Sequence, residues 1–106
     1  MNEPLLTILT PAYNRRHLLP RLYASILRQD VPEGSFEWLV IDDGSTDGTE
    51  EYLAGIAALH PGLVRYETTP NGGKHRALNR GAVLAQGEWV MVVDSDDWLT
   101  DDGIKT

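Results

Sequence analysis

The sequence predicts an α/β fold in which helices cover both faces of a parallel sheet. Three observations support this prediction: four short apolar runs of strand length, helical periodicity between them, and polar turn-forming residues after each run. Strands that are separated by helices pair in parallel through right-handed crossovers. We therefore expect a three-layer, Rossmann-like sandwich with strand order 3-2-1-4, and a ligand site beyond the carboxyl ends of the strands.

The four apolar runs are rich in β-branched and aromatic residues, which favours strands. They span residues 5–9, 36–41, 63–67 and 88–93. The fourth run shows no alternation of apolar and polar residues. We expect this strand to be covered on both faces and to have a further neighbour beyond it.

The three segments between the strands have the periodicity of helices. Pro20 fits the first helix only in its first turn, and "HPG" at 60–62 ends the second helix. In the third helix, Ala77 and Gly81 leave a small surface for close packing. The other residues expected to face the sheet are Leu18, Leu19, Leu22, Tyr23, Ile26, Leu27, Tyr52, Leu53, Ile56, Leu59, Leu78, Ala82 and Ala85.

Composition limits the possible functions. The chain has 106 residues, no cysteine and a formal charge of −7, which excludes thiolate metal sites and opposes nucleic-acid binding. No apolar run approaches membrane-spanning length, so we expect a soluble, cytoplasmic domain, with any membrane association of the full-length protein residing outside this chain.

Three carboxylates follow the fourth apolar run within four residues, at Asp94, Asp96 and Asp97. Like charges this close repel unless a cation shares the site, and oxygen ligands of this kind suit Mg²⁺ or Mn²⁺. The alternative is a solvated acidic turn that leads into a helix near Thr100. The position at the end of an apolar strand favours the metal site.

The loops after the other strands add further candidates. "DDGSTDGT" at 42–49 is explained partly as a turn and helix cap, but Asp42 and Asp43 at the strand exit could accept a base N–H or ribose hydroxyls. Lys74 follows "NGG" near a helix N-terminus, which favours phosphate oxygens. Tyr13 is either a packed loop aromatic or a stacking surface for a base. His17, His60 and His75 share no metal-ligand spacing.

These motifs together resemble those of family 2 inverting glycosyltransferases with the GT-A fold. The similarity is carried by "LTILTPAYNRRHLLPRLYASILRQ", "EWLVIDDGSTDGT" and "NGGKHRALNRGAVLAQGEWVMVVDSDD", in that order. It implies a nucleotide-diphosphate sugar as donor, most simply a UDP-sugar, with a divalent metal, in cell-wall or polysaccharide biosynthesis. By the same resemblance, residues 1–106 form the nucleotide-sugar-binding part, truncated after the D-x-D motif.

The resemblance also assigns roles to residues. Pro11 and Tyr13 would hold the base, and Asp43, with Asp42 beside it, would recognise it. Lys74 and Asn79 match a segment that lines the nucleotide site. Asp94 and Asp96 match the D-x-D pair, with Asp96 the more direct metal ligand and Ser95 near the ribose.

Two features of the family would lie beyond Thr106: the acidic general base and a further Gln/Arg/Trp motif. We therefore expect this chain by itself to bind a donor without transferring sugar, and to self-associate through its fourth strand or the adjoining helices. The saccharide or lipid-linked acceptor cannot be identified from these residues.

Two other classes share some of these features. A sugar-nucleotide nucleotidyltransferase would carry a Gly-rich basic loop after the first strand, where this chain has "PAYNRR". A non-enzymatic, Mg²⁺-binding receiver-like domain would place its acidic residues after the first and third strands. The acids of this chain follow the second and fourth strands, which favours the glycosyltransferase.

Overall fold

The computed structural model describes residues 4–29, 31–32 and 34–100. Its strands are β1 (Leu6–Ala12), β2 (Phe36–Asp42), β3 (Val64–Thr68) and β4 (Trp89–Val92), and its helices are α1 (Leu19–Leu27), α2 (Thr49–Leu59) and α3 (Lys74–Leu84). The four strands form one parallel sheet in the order β3-β2-β1-β4. The expected fold, strand order and parallel pairing are confirmed. The body of the helix expected from Thr100 onward lies outside the described residues.

The strand register determines where the loops emerge at the carboxyl edge of the sheet. β1 and β2 pair along their full lengths, from Leu6 opposite Phe36 to Ala12 opposite Asp42. The loops that follow these two strands therefore emerge side by side at the carboxyl edge. β4 pairs with β1 only from Leu6 to Leu9, so the loop after β4 begins nearer the middle of β1.

Side chains alternate across the sheet and form one core on each face. On one face, Ile8, Trp38 and Val40 pack with apolar residues of α1 and α2. On the other face, Leu9, Leu39 and Ile41 pack with Ala77 of α3. These two cores give the expected three layers. Pro20 lies in the first turn of α1, as expected.

Helix α3 approaches the sheet through its small residues. Ala77 and Gly81 are its buried residues, and a Cβ added to Gly81 would collide with the side chain of Leu9. The close approach expected from these two residues is confirmed. Ala82, which was expected on the same face, is exposed. Because Gly81 and Ala77 have small side chains, α3 packs close to the sheet.

Two leucines expected in the core are exposed instead. Leu27 is 46 % exposed and Leu59 is 72 % exposed. Both are the last residues of their helices, and both line a cavity with Phe36, at the amino end of β2. The helical period aligns these residues with the core face, but the core does not cover them at these helix ends.

A buried carboxylate lies at the same amino end of the sheet. Glu37, only 1 % exposed, accepts hydrogen bonds from the Thr7 hydroxyl at 2.6 Å and the Gln86 amide at 2.7 Å. Its other oxygen lies 3.0 Å from Nε of Arg65. These contacts join β1, β2 and β3 to the connection between α3 and β4. The carboxylate of Glu37 is thus engaged in structural contacts at the amino edge.

Strand β4 has a different environment from the other three. Trp89, Val90 and Val92 are 66 %, 45 % and 49 % exposed, and within the described part of the chain no strand pairs with the outer edge of β4. Met91 is partly buried against the core, so the cover expected on both faces of this strand is only partial among the described residues. No helix in the same part of the chain has the length and apolar character needed to cross a membrane.

Candidate functional site

A pocket of about 230 Å³ opens at the carboxyl edge of the sheet. It is lined by Pro11, Ala12, Tyr13, Arg15, Asp43, Lys74, Ala77, Asp94, Ser95 and Asp96. The loops after β1, β2 and β4 and the N-terminus of α3 each contribute side chains. The structure therefore brings together the residues proposed for the site from the sequence, except Asp42, Asn79 and Asp97, which do not line the pocket.

One wall of the pocket is formed by the loop after β1. Pro11 is buried in the strand end, whereas Tyr13 is 46 % exposed and leaves its ring accessible. Asn14 holds this loop against the next one, since its amide donates to the Ser45 hydroxyl at 2.8 Å and its side-chain oxygen accepts from the Thr46 amide at 2.8 Å. The aromatic surface is thus presented by a loop anchored on both sides.

The same two loops are joined again through Asp47. Its carboxylate accepts hydrogen bonds from the Arg16 amide at 3.1 Å and from the Thr49 amide and hydroxyl. Burial would raise the pKa of Asp47, but these hydrogen bonds together outweigh it, and the pKa lies below its ordinary value. Asp47 therefore stays ionised as a bridge between the β1 loop and the start of α2.

Asp43 sits at the floor of the pocket and binds the loop that precedes α3. One carboxylate oxygen accepts from the Gly72 amide and the other from the Gly73 amide, both at 2.9 Å. The Asn71 side chain donates to the Asp43 carbonyl at 3.1 Å. Asp43 is only 5 % exposed, yet it lines the pocket, so it both positions this loop and contributes a polar surface to the site.

Asp42 and Asn79 lie elsewhere. Asp42 is fully buried, and its carboxylate accepts from the Ser45 amide at 3.1 Å and the Thr68 hydroxyl at 3.3 Å, so it supports the loop from below. Asn79 is exposed on α3. Since it is two residues beyond the buried Ala77, a rotation of about 200°, it points away from the sheet.

Lys74 is the first residue of α3, and its ammonium nitrogen lies 2.9 Å from a carboxylate oxygen of Asp94. Both side chains are about half exposed, at 58 % and 42 %. The positive end of the α3 dipole adds to the positive charge of this lysine. The pair joins the loop before α3 to the acidic segment across the mouth of the pocket.

The acidic segment after β4 folds into a tight turn in which the Asp97 amide donates to the Asp94 carbonyl at 3.0 Å. This turn brings carboxylate oxygens of Asp94, Asp96 and Asp97 within 4.8 Å of one another. Three charged oxygens at this separation fit a hard divalent cation that keeps part of its water shell. The geometry thus groups the three carboxylates that the sequence proposed as a cation site, including the D-x-D pair Asp94 and Asp96.

Sequence reasoning missed Arg15 as a pocket residue. Its guanidinium donates to the Tyr13 carbonyl at 3.2 Å, so it lies over the loop that carries the aromatic wall. The adjacent basic pair in "PAYNRR" was the available signal. Together with Lys74, it gives the pocket two cationic side chains.

Comparisons with known proteins place this architecture in a family. The model of Glycosyl transferase family 2 matches residues 7–106, so the chain belongs to glycosyltransferase family 2. It is 34 % identical to an uncharacterized glycosyltransferase of Haemophilus influenzae over 105 residues, which cover 99 % of this chain and 41 % of the relative. The chain thus spans less than half of that relative's length.

Solved structures show the same fold. The chain superimposes on Staphylococcus aureus TarS 1–349 in complex with UDP with a TM-score of 0.85 and 29 % identity, covering 99 % of this chain and 30 % of that one. It superimposes on the mannosyltransferase PcManGT of Pyrobaculum calidifontis in complex with GDP-Man and Mn²⁺ with a TM-score of 0.78 and 32 % identity, covering 93 % and 29 %. The expected GT-A type of α/β fold is confirmed.

Proposed function

We propose that this chain is the nucleotide-sugar-binding part of an inverting glycosyltransferase that uses a UDP-sugar and a divalent metal to glycosylate an acceptor hydroxyl. The observation that carries the proposal is the pocket at the carboxyl edge. It combines an accessible aromatic ring, a lysine at a helix N-terminus and a cluster of three carboxylates. Base, diphosphate and metal need surfaces of these three kinds.

Each part of the donor has a matching wall. Tyr13 and Pro11 offer a surface for the base, with the Asp43 carboxylate at the floor as an acceptor for its N–H groups. Ser95, which also lines the pocket, would lie near the ribose. Lys74 is free to exchange its exposed partner Asp94 for phosphate oxygens.

Asp94 and Asp96 would hold Mg²⁺ or Mn²⁺, with the nearby Asp97 carboxylate completing the acidic cluster. A cation bound there would neutralise the charge that develops on the departing diphosphate. The cation would be held at one end of the pocket, because the turn from Asp94 to Asp97 keeps the three carboxylates together there.

Titration calorimetry with UDP and GDP, each with and without Mn²⁺, tests the proposal. We expect UDP to bind more tightly than GDP and Mn²⁺ to strengthen its binding. Asp96→Ala should weaken the Mn²⁺-dependent affinity by at least about tenfold, or roughly 1.4 kcal/mol. Glu51→Ala, an exposed acid on α2 outside the pocket, is the matched control. An unchanged affinity in Asp96→Ala would show that the cluster is a solvated turn, and tighter GDP binding would reassign the base.

Transfer requires a general base, and the acids that line the pocket are already engaged. Asp43 accepts three donors from its own chain, while Asp94 and Asp96 belong to the acidic cluster. We therefore propose that the base belongs to another part of the whole protein, and that the 106-residue chain binds the donor without transferring it. Release of UDP from a UDP-sugar by this chain in the presence of Mn²⁺ would contradict this.

The exposed edge of β4 supports a proposal about assembly. Trp89, Val90 and Val92 form an apolar surface along an edge that no strand covers within the described residues. Edges of this kind pair with other chains, so we propose that the 106-residue chain self-associates through β4. Light scattering should show oligomers that Val90→Lys disperses, and a monomer in both proteins would refute the proposal.

A further inference from the structure

Helix α1 carries a row of polar side chains that contacts the backbone of the segment after the acidic turn. Arg21, Ser25 and Gln29 recur at every fourth residue, so they lie on one face of the helix. The apolar periodicity of α1 predicts only a packing role for this helix. None of these three residues lines the pocket, and their partners lie at residues 96, 99 and 100.

The three contacts form a continuous series along that segment. Arg21 donates from Nη2 to the Asp96 carbonyl at 3.0 Å, and Ser25 accepts from the Leu99 amide at 3.0 Å. Gln29 donates to the Thr100 carbonyl at 2.8 Å. Each partner is a backbone group, so these bonds fix the path of the chain and are independent of the side chains it carries.

Two further observations show that these contacts are built into the fold. Ser25 is fully buried, and its hydroxyl also donates to the Leu22 carbonyl at 2.7 Å, so its orientation toward Leu99 is fixed. The guanidinium of Arg21 stacks on the Trp98 ring at 4.1 Å from its centroid. Arg21 thereby holds the segment in two ways, by its hydrogen bond to the Asp96 carbonyl and by its stacking on the Trp98 ring.

We propose that Arg21 and Ser25 are positioning residues for the acidic cluster, which they reach through the backbone of residues 96–99. Mutual repulsion tends to spread the three carboxylates before a cation binds. A carbonyl fixed at Asp96 and an amide fixed at Leu99 limit this spreading, and the charge of Arg21 reduces the repulsion itself. The proposal rests on the proposed function, because it assigns a purpose to the cluster.

The test combines nucleotide binding with amide hydrogen exchange on the 106-residue chain. Arg21→Met removes the charge and the hydrogen bond, whereas Ser25→Ala removes only the acceptor for Leu99. Arg16→Met is the matched control, since Arg16 also stacks on an aromatic ring, that of Tyr52 at 4.2 Å, but outside the pocket. The binding readout is the ratio of the UDP dissociation constants without and with Mn²⁺.

We expect Arg21→Met and Ser25→Ala to lower this ratio by about tenfold, as supporting partners of metal ligands do, while the affinity without Mn²⁺ stays the same. The Leu99 amide should exchange faster in Ser25→Ala. A general loss of structure would instead weaken UDP binding with and without the metal. A ratio that is unchanged in both variants overturns the positioning role.

Failure of the proposed function is seen separately, in the unmodified chain. If Mn²⁺ gives that chain no gain in UDP affinity, the donor-binding proposal is wrong, and the exchange measurement decides the positioning role by itself. Faster exchange of residues 97–99 in Ser25→Ala and Arg21→Met then supports it, and unchanged exchange overturns it.

Discussion

The two acidic groups at the carboxyl edge of the sheet differ in how far their own chain satisfies them. Asp42 and Asp43, after β2, are 0 % and 5 % exposed and accept hydrogen bonds from their own loop and from the loop before α3. Asp96 and Asp97, after β4, are exposed, and within the described residues no donor bonds to their carboxylates. The fold satisfies the first group. In the second group, Asp94 pairs with the exposed Lys74, and Asp96 and Asp97 are available to a cation under the proposed function.

This difference separates structural from ligand-binding acids better than position in the sequence does. Both groups follow an apolar strand, and both begin with an aspartate at the strand exit. A carboxylate that accepts backbone amides holds a loop and needs no further partner. Asp43 combines a structural position with a position in the site, because it accepts hydrogen bonds from the Gly72 and Gly73 amides and also lines the pocket.

The largest effect should come from removing a satisfied acid. Asp43→Ala leaves the Gly72 and Gly73 amides without their acceptor, while the Asn71 side chain keeps only the backbone carbonyl of residue 43. We expect the free energy of unfolding to fall by about 2–4 kcal/mol, measured by urea denaturation. Asp97→Ala is the control from the exposed group, and its free energy of unfolding should change by less than about 0.5 kcal/mol. Equal losses in the two variants would break the comparison.

Much of the fold follows from the sequence because strand and helix periods alternate along the chain. The crossover rule then gives the strand order, which the structure confirms. Residues at helix ends could not be placed in the same way. Leu59 fits the periodic pattern but is exposed, because whether the core covers the end of a helix depends on tertiary packing, which a local sequence pattern does not contain.

The site was predictable to a similar extent. Because parallel strands share a carboxyl edge, Tyr13, Lys74 and the acidic segment were expected to converge, and they line one pocket. Which of two consecutive acids faces that pocket depends on side-chain direction, so Asp42 was not separable from Asp43. The contacts of Arg21 with residue 96 join positions 75 apart in sequence, and no local pattern shows such a pairing.

A smaller effect should follow from changing the loop that carries the buried group. Gly44 has a φ of +75°, and a Cβ there would lie 2.7 Å from the Asn71 amide nitrogen. Gly48 has a similar φ of +88° but open space around it. We expect Gly48→Ala to cost about 1 kcal/mol from backbone strain, and Gly44→Ala about 1 kcal/mol more from the contact. Equal costs in urea denaturation would show that the two loops are not packed against each other.

The smallest effect should have the opposite sign, and it comes from removing one charge of the unsatisfied group. In the absence of a divalent cation, the carboxylates of Asp94, Asp96 and Asp97 repel one another across less than 4.8 Å. Asp97→Asn relieves part of this repulsion at an exposed position, so the free energy of unfolding should rise by a few tenths of a kcal/mol, about 0.3, at low ionic strength. The gain should shrink as salt is added, because salt screens the repulsion between exposed charges and the Debye length is only about 10 Å in 0.1 M salt.

Asp43→Asn, which removes a charge from the satisfied group, should destabilise the chain at every salt concentration. A loss of stability in Asp97→Asn would mean that this carboxylate, too, is held by its own chain, and the contrast between the two acidic groups would disappear.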